Sequence, residues 1–461
     1  MKEAGPHPLS QLPQIEKLLQ NRELEAWFSR LSRPLVARLA AQTIAELRAA
    51  LQEGGEFPGE AAILEALIRR CRETARRRIH HLVNATGVVL HTNLGRAPIS
   101  EAAWRSAEAV NTGFSNLEFD LRTGRRGKRK GIIPDLLSLL VGAEDALMVN
   151  NNAAAVFLIL SALSKGREVI VSRGEQVQIG GGFRIPEILA QTGARMVEVG
   201  TTNITRLEDY TSAFGPDTAM VLVVHASNFR IRGFTARPGI RELAENLPED
   251  VHLVVDQGSG TTTEHIPGEQ SVSHYLSSGA DLVSFSGDKV LGGPQAGFIV
   301  GKKELIQTLS RHPLNRVFRP GKTIYSLMEE ALVARLNRVA EPPVEAVLNL
   351  PMEELRARGE SLLAELPPQA AELVDSTVST GGGSAPDERF PSLSIRLPAK
   401  EKPERLLAAL RESEPPIIGT IVDGQVQLNL ATLLPEEVQV VGESLKRLLG
   451  DAARRGSARC T

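Results

Sequence analysis

The chemistry that this sequence marks most clearly is carried by a lysine set among small residues. Lys289 lies in the run Ser284 to Gly297, which reads SFSGDKVLGGPQAG. It follows the strand-like residues Leu282 to Phe285 and precedes the glycines Gly292 and Gly293. Small neighbours let a flat cofactor approach the amine, and a pocket that lowers its pKa makes it a nucleophile. The run fits a lysine that forms a Schiff base, and taken alone it fits a loop lysine equally well.

Composition narrows the class of protein. The chain has 461 residues, enough for two or three domains, and its net charge of −2 leaves any nucleic-acid binding to local basic patches. Two cysteines, Cys71 and Cys460, argue against a disulfide framework and a cysteine-rich zinc site, and we expect no metal. Residues 1–12 lack the pattern of a secretory signal, and no apolar run approaches the ~20 residues that span a bilayer. We therefore expect a cytoplasmic protein without a membrane partner.

The chain divides into three regions that differ in their pattern of apolar residues. Residues 1–75 have leucines at helical spacing and predict a helical N-terminal domain, whose last helix, Ala61 to Ile79, carries a basic string that a solvated helix face also explains. Residues 80–330 predict a large α/β domain, because near-continuous apolar strands that alternate with helices indicate a mostly parallel sheet. Residues 340–461 predict an α+β C-terminal domain. The strands expected in the sheet are 146–149, 168–171, 195–199, 220–224, 253–255 and 282–285.

Polar residues follow the first of these strands, where ligands bind in a parallel sheet. Asn150, Asn151, Asn152 and Ala153 come directly after Val149 and open a helical pattern. Asparagine caps helices well, and the free N–H groups of a helix N-terminus bind phosphate. One asparagine would satisfy a plain cap, so three in a row favour a ligand site.

A carboxylate follows a later strand. Asp256 comes after Val255 and one helical unit before Lys289. A buried carboxylate needs a cationic or N–H partner, which a protonated pyridine nitrogen supplies. An aspartate on one strand end and a lysine after the next is the order in fold-type I enzymes of pyridoxal 5'-phosphate (PLP).

Three further residues fit the same cofactor. Ser227 or Asn228, which follow the strand that ends at residue 224, are candidates for the phenolic oxygen of PLP, and Ser286 is a candidate for its phosphate. His225 fits a satisfied buried histidine at least as well as a ligand. Together these residues predict a PLP-dependent enzyme.

Longer runs then resemble one family, the bacterial selenocysteine synthases or L-seryl-tRNA(Sec) selenium transferases. The resemblance covers nearly the whole chain. Its residues are 84–97, 115–121, 149–155, 172–175, 183–186, 199–203, 284–297, 312–314, 381–384 and 415–419.

The resemblance implies a reaction and its partners. Seryl-tRNA(Sec) would lose its hydroxyl by β-elimination on PLP and take selenium from selenophosphate, with Lys289 and Asp256 as catalytic residues. Asp288 would position the hydroxyl or supply its proton, and an arginine-rich selenophosphate pocket is expected from Arg96, Arg316 and Arg319. The family also implies a homodecamer built from dimers, and tRNA(Sec) binding by residues 1–75. The basic run 122–130 suits the tRNA acceptor end or an anionic substrate. Four positions depart from the pattern of relatives: Ile204, Gln257, Thr420 and Ala431.

Two alternatives compete with this prediction. A PLP-dependent lyase acting on a small amino acid or amino sugar acid would need no tRNA and no helical N-terminal domain. A non-catalytic tRNA-binding protein would need neither a buried Asp256 nor an activated Lys289.

Overall fold

The computed structural model describes residues 8–176, 178–179, 182–225, 231–262, 266–338, 343–385, 387–398 and 402–457. The chain divides into two compact units, Met1–His81 and Leu82–Thr461. The division into three domains, residues 1–75, 80–330 and 340–461, stays a prediction.

The first unit is helical, because its leucines and valines recur on one face of each helix and pack together. Leu24, Val36 and Leu67 are fully buried in its core. The predicted helix Ala61 to Ile79 is too long at its end: it stops at Ala75, and the arginines that follow lie in a turn. The helices are α1 (Ile15–Leu19), α2 (Glu25–Leu31), α3 (Arg33–Gln52) and α4 (Glu60–Ala75).

Eighteen strands are described in the second unit. They are β1 (Val83–Asn84), β2 (Val88–Leu90), β3 (Phe119–Asp120), β4 (Arg125–Arg126), β5 (Asp145–Val149), β6 (Glu168–Ser172), β7 (Gln178–Ile179), β8 (Phe183–Arg184), β9 (Arg195–Val199), β10 (Thr218–Val224), β11 (His252–Gly258), β12 (Leu282–Ser286), β13 (Gly297–Gly301), β14 (Glu372–Gly381), β15 (Phe390–Leu397), β16 (Ile417–Ile418), β17 (Thr420–Val422) and β18 (Gln425–Asn429).

A seven-stranded sheet forms the centre of this unit, in the order β5-β13-β12-β11-β10-β6-β9. All six predicted strands belong to it, and the pairs from β12 through to β9 are parallel. Their apolar residues are buried on both faces, as expected when helices cover a parallel sheet. The predicted mostly parallel α/β fold is thus confirmed.

One strand of this sheet was not predicted. β13 is antiparallel to both β12 and β5, and it inserts between them. Gly297 at its start lies against the backbone of Asn151 and Asn152, where a Cβ atom would collide. The glycine therefore lets the turn after β5 approach the sheet closely.

A second sheet has the order β17-β18-β15-β14-β2. Its last strand comes from the beginning of the unit, because β2 pairs in parallel with β14 through Val88 with Ser379 and Leu90 with Gly381. The C-terminal α+β region is therefore completed by residues far away in sequence.

Helices surround both sheets, and none in the described residues is both long and apolar enough to cross a membrane. They are α5 (Glu101–Thr112), α6 (Ile133–Val141), α7 (Asn152–Leu163), α8 (Ile185–Thr192), α9 (Leu207–Thr211), α10 (Ile240–Glu245), α11 (Val272–Ser277), α12 (Lys303–Arg311), α13 (Pro313–Val317), α14 (Lys322–Leu336), α15 (Pro343–Leu348), α16 (Met352–Ala364), α17 (Pro403–Arg411) and α18 (Glu437–Ser457).

Candidate active site

Asp256 is the buried carboxylate at the centre of the site. It lies inside β11, two residues before the strand ends, so the prediction that the strand ends at Val255 was too short. Its Oδ1 accepts hydrogen bonds from Asn152 Nδ2 at 2.7 Å and from Ser284 Oγ at 3.0 Å. Burial raises the pKa of Asp256, although both hydrogen bonds oppose the shift. Among the described residues no donor is assigned to Oδ2, so a cation placed there would favour the ionised form.

Lys289 lies three residues after β12, and its side chain is almost wholly buried at 8% exposure. Burial lowers the pKa of Lys289, and the neighbouring charge of Arg96 lowers it further. Asp256, Asp288 and Glu269 oppose this shift. The amine is therefore closer to its neutral, nucleophilic form than a surface lysine is.

This shift predicts a pH dependence for the capture of PLP. The reaction needs the neutral amine, which exists above the pKa, so the capture rate of the apoprotein should rise with pH and level off with a midpoint below the ordinary 10.5. Stopped-flow absorbance would measure the rate, with N-acetyl-lysine as the exposed reference amine. A midpoint equal to that of the reference would contradict a desolvated Lys289.

Arg96 and Asp288 form an ion pair beside the lysine. Arg96 Nη1 lies 2.6 Å from Asp288 Oδ2, and the Ala97 N–H donates to the Asp288 carbonyl oxygen. Arg96 takes a positive φ of 65° after Gly95, which turns the chain toward the lysine. The structure thus joins two residues that were predicted for different roles.

The start of α7 carries the predicted phosphate site. Asn151 is the N-cap, and its side chain accepts a hydrogen bond from the Ala154 N–H at 2.8 Å. Asn152 reaches Asp256, and Ala153 is exposed at the helix start. In the described part of the chain the Oδ1 atom of Asn152 is buried without a hydrogen-bond partner. A buried orphan of this kind marks a place that a ligand or water completes.

Arg319 and Arg316 lie apart from this cluster. Arg319 Nη1 is 3.2 Å from Glu118 Oε1, and the same carboxylate pairs with Arg126 and Arg129. The hydrogen bond from Arg129 is the main cause that lowers the pKa of Glu118. Arg316 is exposed on α13. The contacts within the described ranges do not connect either arginine to Arg96, so a single pocket of all three stays a prediction.

His225 belongs to a buried network, which agrees with the interpretation as a satisfied buried histidine, but its partners were not predicted. Its Nε2 lies 3.2 Å from Glu269 Oε2, and its Nδ1 lies 3.4 Å from the Tyr275 hydroxyl. Glu269 also accepts from Ser259 Oγ at 2.9 Å and from the Ala385 N–H at 2.8 Å. Burial raises the pKa of Glu269, but His225, the Ala385 N–H and Ser259 together outweigh burial, and the net pKa is lowered.

Two predicted site residues, Ser227 and Asn228, lie outside the described residues. Ser286, the predicted phosphate donor, is buried at the end of β12, opposite Gly297.

These residues fit PLP. The Oδ2 atom of Asp256, to which no donor is assigned among the described residues, suits the protonated ring nitrogen of PLP. The amine of Lys289 suits the aldehyde of PLP, because its lowered pKa favours the neutral form. The capped N-terminus of α7 suits a phosphate, and the orphaned Oδ1 belongs to Asn152, the side chain that joins this helix start to Asp256.

The fold and the site together define a fold-type I PLP-dependent enzyme. The structure of D-glucosaminate-6-phosphate ammonia-lyase is similar, with a TM-score of 0.58 and 20% identity over 81% of this chain and 97% of that chain. That likeness concerns the fold.

The chain belongs to the L-seryl-tRNA selenium transferase family, whose model matches residues 82–434. A second model, selenocysteine synthase N terminal, matches residues 9–48. The L-seryl-tRNA(Sec) selenium transferase of Moorella thermoacetica is 41% identical over 98% of this chain and 99% of its own length. That of Carboxydothermus hydrogenoformans is 39% identical over 96% and 98%. The predicted family, fold class and cofactor are thereby confirmed.

Proposed function

We propose that this protein converts seryl-tRNA(Sec) to selenocysteinyl-tRNA(Sec) with PLP as cofactor and selenophosphate as selenium donor. The observation that carries the proposal is 41% identity to a transferase of this name over 98% of this chain, which includes the N-terminal unit. The buried Lys289 and Asp256 supply the site that such chemistry needs.

When bound, PLP supplies an electron sink for the seryl Cα. Lys289 holds the cofactor, and as a neutral amine it takes the proton from Cα and later returns it. Asp256 keeps a positive charge on the ring nitrogen through its open oxygen. The N-terminus of α7, with Asn151, Asn152 and Ala153, holds the phosphate, and Ser286 donates to it.

The Arg96–Asp288 pair serves the two groups exchanged at Cβ. The seryl hydroxyl leaves as water with a proton that Asp288 positions or supplies. Selenophosphate then adds through its selenium at the same carbon, and a water molecule cleaves the Se–P bond and releases phosphate. Arg96 holds phosphate oxygens of selenophosphate, because a guanidinium binds them bidentately. Asp288 orients Arg96 and the seryl hydroxyl. Arg316 and Arg319 extend this anion site. The burial of Lys289 and Asp256 keeps competing water away from the reacting carbons.

The N-terminal unit is proposed to bind tRNA(Sec). Its last helix presents several arginines, and the run that follows Ala75 adds three more. The hairpin of β3 and β4 offers a second basic surface, since residues 122–130 hold six Arg or Lys. Such patches contact phosphates without reading bases.

Deleting residues 1–75 is therefore expected to weaken tRNA(Sec) binding at least roughly tenfold, while the remaining chain still binds PLP. Filter binding measures the first quantity and cofactor absorbance the second. Equal tRNA affinity with and without these residues would refute the role of the unit.

The experiment that tests the function compares two charged tRNAs. The purified protein with PLP and selenophosphate should form selenocysteinyl-tRNA from seryl-tRNA(Sec) and not from seryl-tRNA(Ser). Turnover of neither would refute the proposal. Equal turnover of both would refute its tRNA specificity.

A second candidate is a PLP-dependent lyase of a small amino acid or amino sugar acid. D-glucosaminate-6-phosphate ammonia-lyase shares the fold of this chain at a TM-score of 0.58. Ammonia release from amino sugar acids, without any reaction of seryl-tRNA(Sec), would identify it.

Assembly in the cytoplasm into a homodecamer, built as a pentamer of dimers, is also proposed. Helices α5, α6 and α14 pack side by side and expose Trp104 and Leu139 to 53% and 75%. Exposed apolar side chains on neighbouring helices are typical of a subunit interface.

A further inference from the structure

A cavity of about 710 Å³ adjoins the candidate active site along the sheet edge. The sheet order places β12 and β11, with Lys289 and Asp256, next to β10, and then β6 and β9. The cavity is lined by residues that follow β10, β6 and β9, and His225 belongs to its wall. Its volume is that of a typical ligand pocket. From His225 the cavity therefore runs away from Lys289 and Asp256, toward the loops that follow β6 and β9.

The walls of the cavity suit a neutral molecule rich in hydroxyl groups. Glu175 and Glu269 are buried carboxylates that line it. Glu175 accepts a hydrogen bond from the Val224 N–H at 3.0 Å, and burial raises its pKa to about 7. Two carboxylates disfavour an anion such as phosphate, whereas they accept hydrogen bonds from ribose hydroxyls well.

A strap of residues 231–237 borders the cavity through residues 231–232 and 235–237, and it carries an exposed aromatic ring that lies outside the lining. The strap is fixed because Ala236 and the segment 203–205 exchange backbone hydrogen bonds, at 3.1 Å from Ala236 N to Asn203 O and at 2.9 Å from Thr205 N to Ala236 O. Phe234, at its centre, is 93% exposed. Exposed aromatic rings on fixed loops stack unpaired bases.

Two arginines flank this ring without making the cavity an anion site. Arg232 is paired with Asp387 at 2.8 Å, and the charge of Arg237 acts on Glu175. Both guanidinium groups are thus balanced by carboxylates.

We propose that the cavity and the strap bind the 3'-terminal nucleoside of the aminoacyl-tRNA, with the ribose at Glu175 and the base against Phe234. The identity of the RNA rests on the proposed function. The amino acid is esterified to this ribose, and His225 in the cavity wall bonds Glu269, whose charge acts on Lys289. A ribose in the cavity therefore directs its seryl group toward the lysine.

The test uses 3'-deoxy-3'-(L-serylamino)adenosine, an unhydrolysable mimic of the charged end, and full-length PLP-loaded protein. Calorimetry should give a Kd that rises about 5- to 150-fold in Phe234→Ala, the loss expected for one stacked base. Phe234→Tyr keeps the ring and should restore binding. Glu175→Gln should also weaken binding of the mimic. Phe114→Ala removes an equally exposed ring elsewhere in the unit and should have no effect.

L-Serinamide separates the nucleoside from the amino acid. It should bind the wild type and Phe234→Ala equally, since it has no base or ribose. Equal Kd values of the mimic for the wild type and Phe234→Ala would overturn the proposal. Failure of the proposed function is a separate result, in which the wild-type protein forms no selenocysteinyl-tRNA at all.

Discussion

Lys289→Ala should abolish formation of selenocysteinyl-tRNA and the visible absorbance of the bound cofactor. The residue is proposed both to hold PLP covalently and to move the Cα proton. Positioned proton transfer alone contributes about 10²- to 10⁴-fold, so we expect a loss of at least roughly 10⁴-fold in kcat. Single-turnover assays with seryl-tRNA(Sec) would measure it.

Borohydride reduction provides a readout that does not depend on turnover. It should fix PLP to the wild-type chain at the peptide that contains Lys289 and leave Lys289→Ala unlabelled. Lys302→Ala is the matched control, because Lys302 pairs with Asp281 at 2.6 Å at the opposite end of β12. Reducible cofactor in Lys289→Ala would show that another amine holds PLP.

The sequence predicted the parts of the site that local pattern determines. Strand and helix periodicity located the strand that contains Asp256 and the strand before Lys289, and the residue types indicated their chemistry. The asparagine run gave the cap of α7 correctly, because N-cap preference is a local property. The resemblance to the family added the substrates.

Contacts between residues distant in sequence could not be predicted from local sequence pattern. Arg96 and Asp288 are separated by 192 positions, and nothing in the neighbourhood of either residue specifies the other. Glu269 was missed for a related reason: its partners His225, Ser259 and Ala385 lie on three different segments. In the structure Glu269 is marked by its burial, since only 1% of its side chain is exposed.

Two errors in the predicted fold, the missed strand β13 and the overlong helix α4, also come from contacts that local pattern does not show. β13 begins with a glycine that is required by the turn at Asn151, and that packing is invisible in the strand itself. The helix α4 ends at Ala75 although arginine is a good helix former, because helix ends depend on capping and packing as well as propensity.

Asp256→Asn tests the electrostatics of the site with little change of shape. Both observed hydrogen bonds to this residue fall on Oδ1, so an asparagine that turns its oxygen to the same place keeps Asn152 and Ser284 satisfied. The substitution alters the Oδ2 edge, where an amide N–H would face the ring nitrogen instead of a carboxylate oxygen. Folding should therefore be retained, and the positive charge on the ring should be lost.

The expected effect is large, because removing one partner of a buried charge pair costs about 3–5 kcal/mol, or roughly 150- to 5,000-fold in kcat/KM. Ser284→Ala is the matched control: it removes one hydrogen bond from a neutral hydroxyl to the same ionised carboxylate, whose net worth of about 1.5–3 kcal/mol predicts roughly a 10- to 150-fold loss. If Asp256→Asn were no slower than Ser284→Ala while both retained PLP, the charge of Asp256 would have no part in catalysis. The hydrogen-bonded shape of the site, rather than its electrostatics, would then explain why this carboxylate is buried beside Lys289.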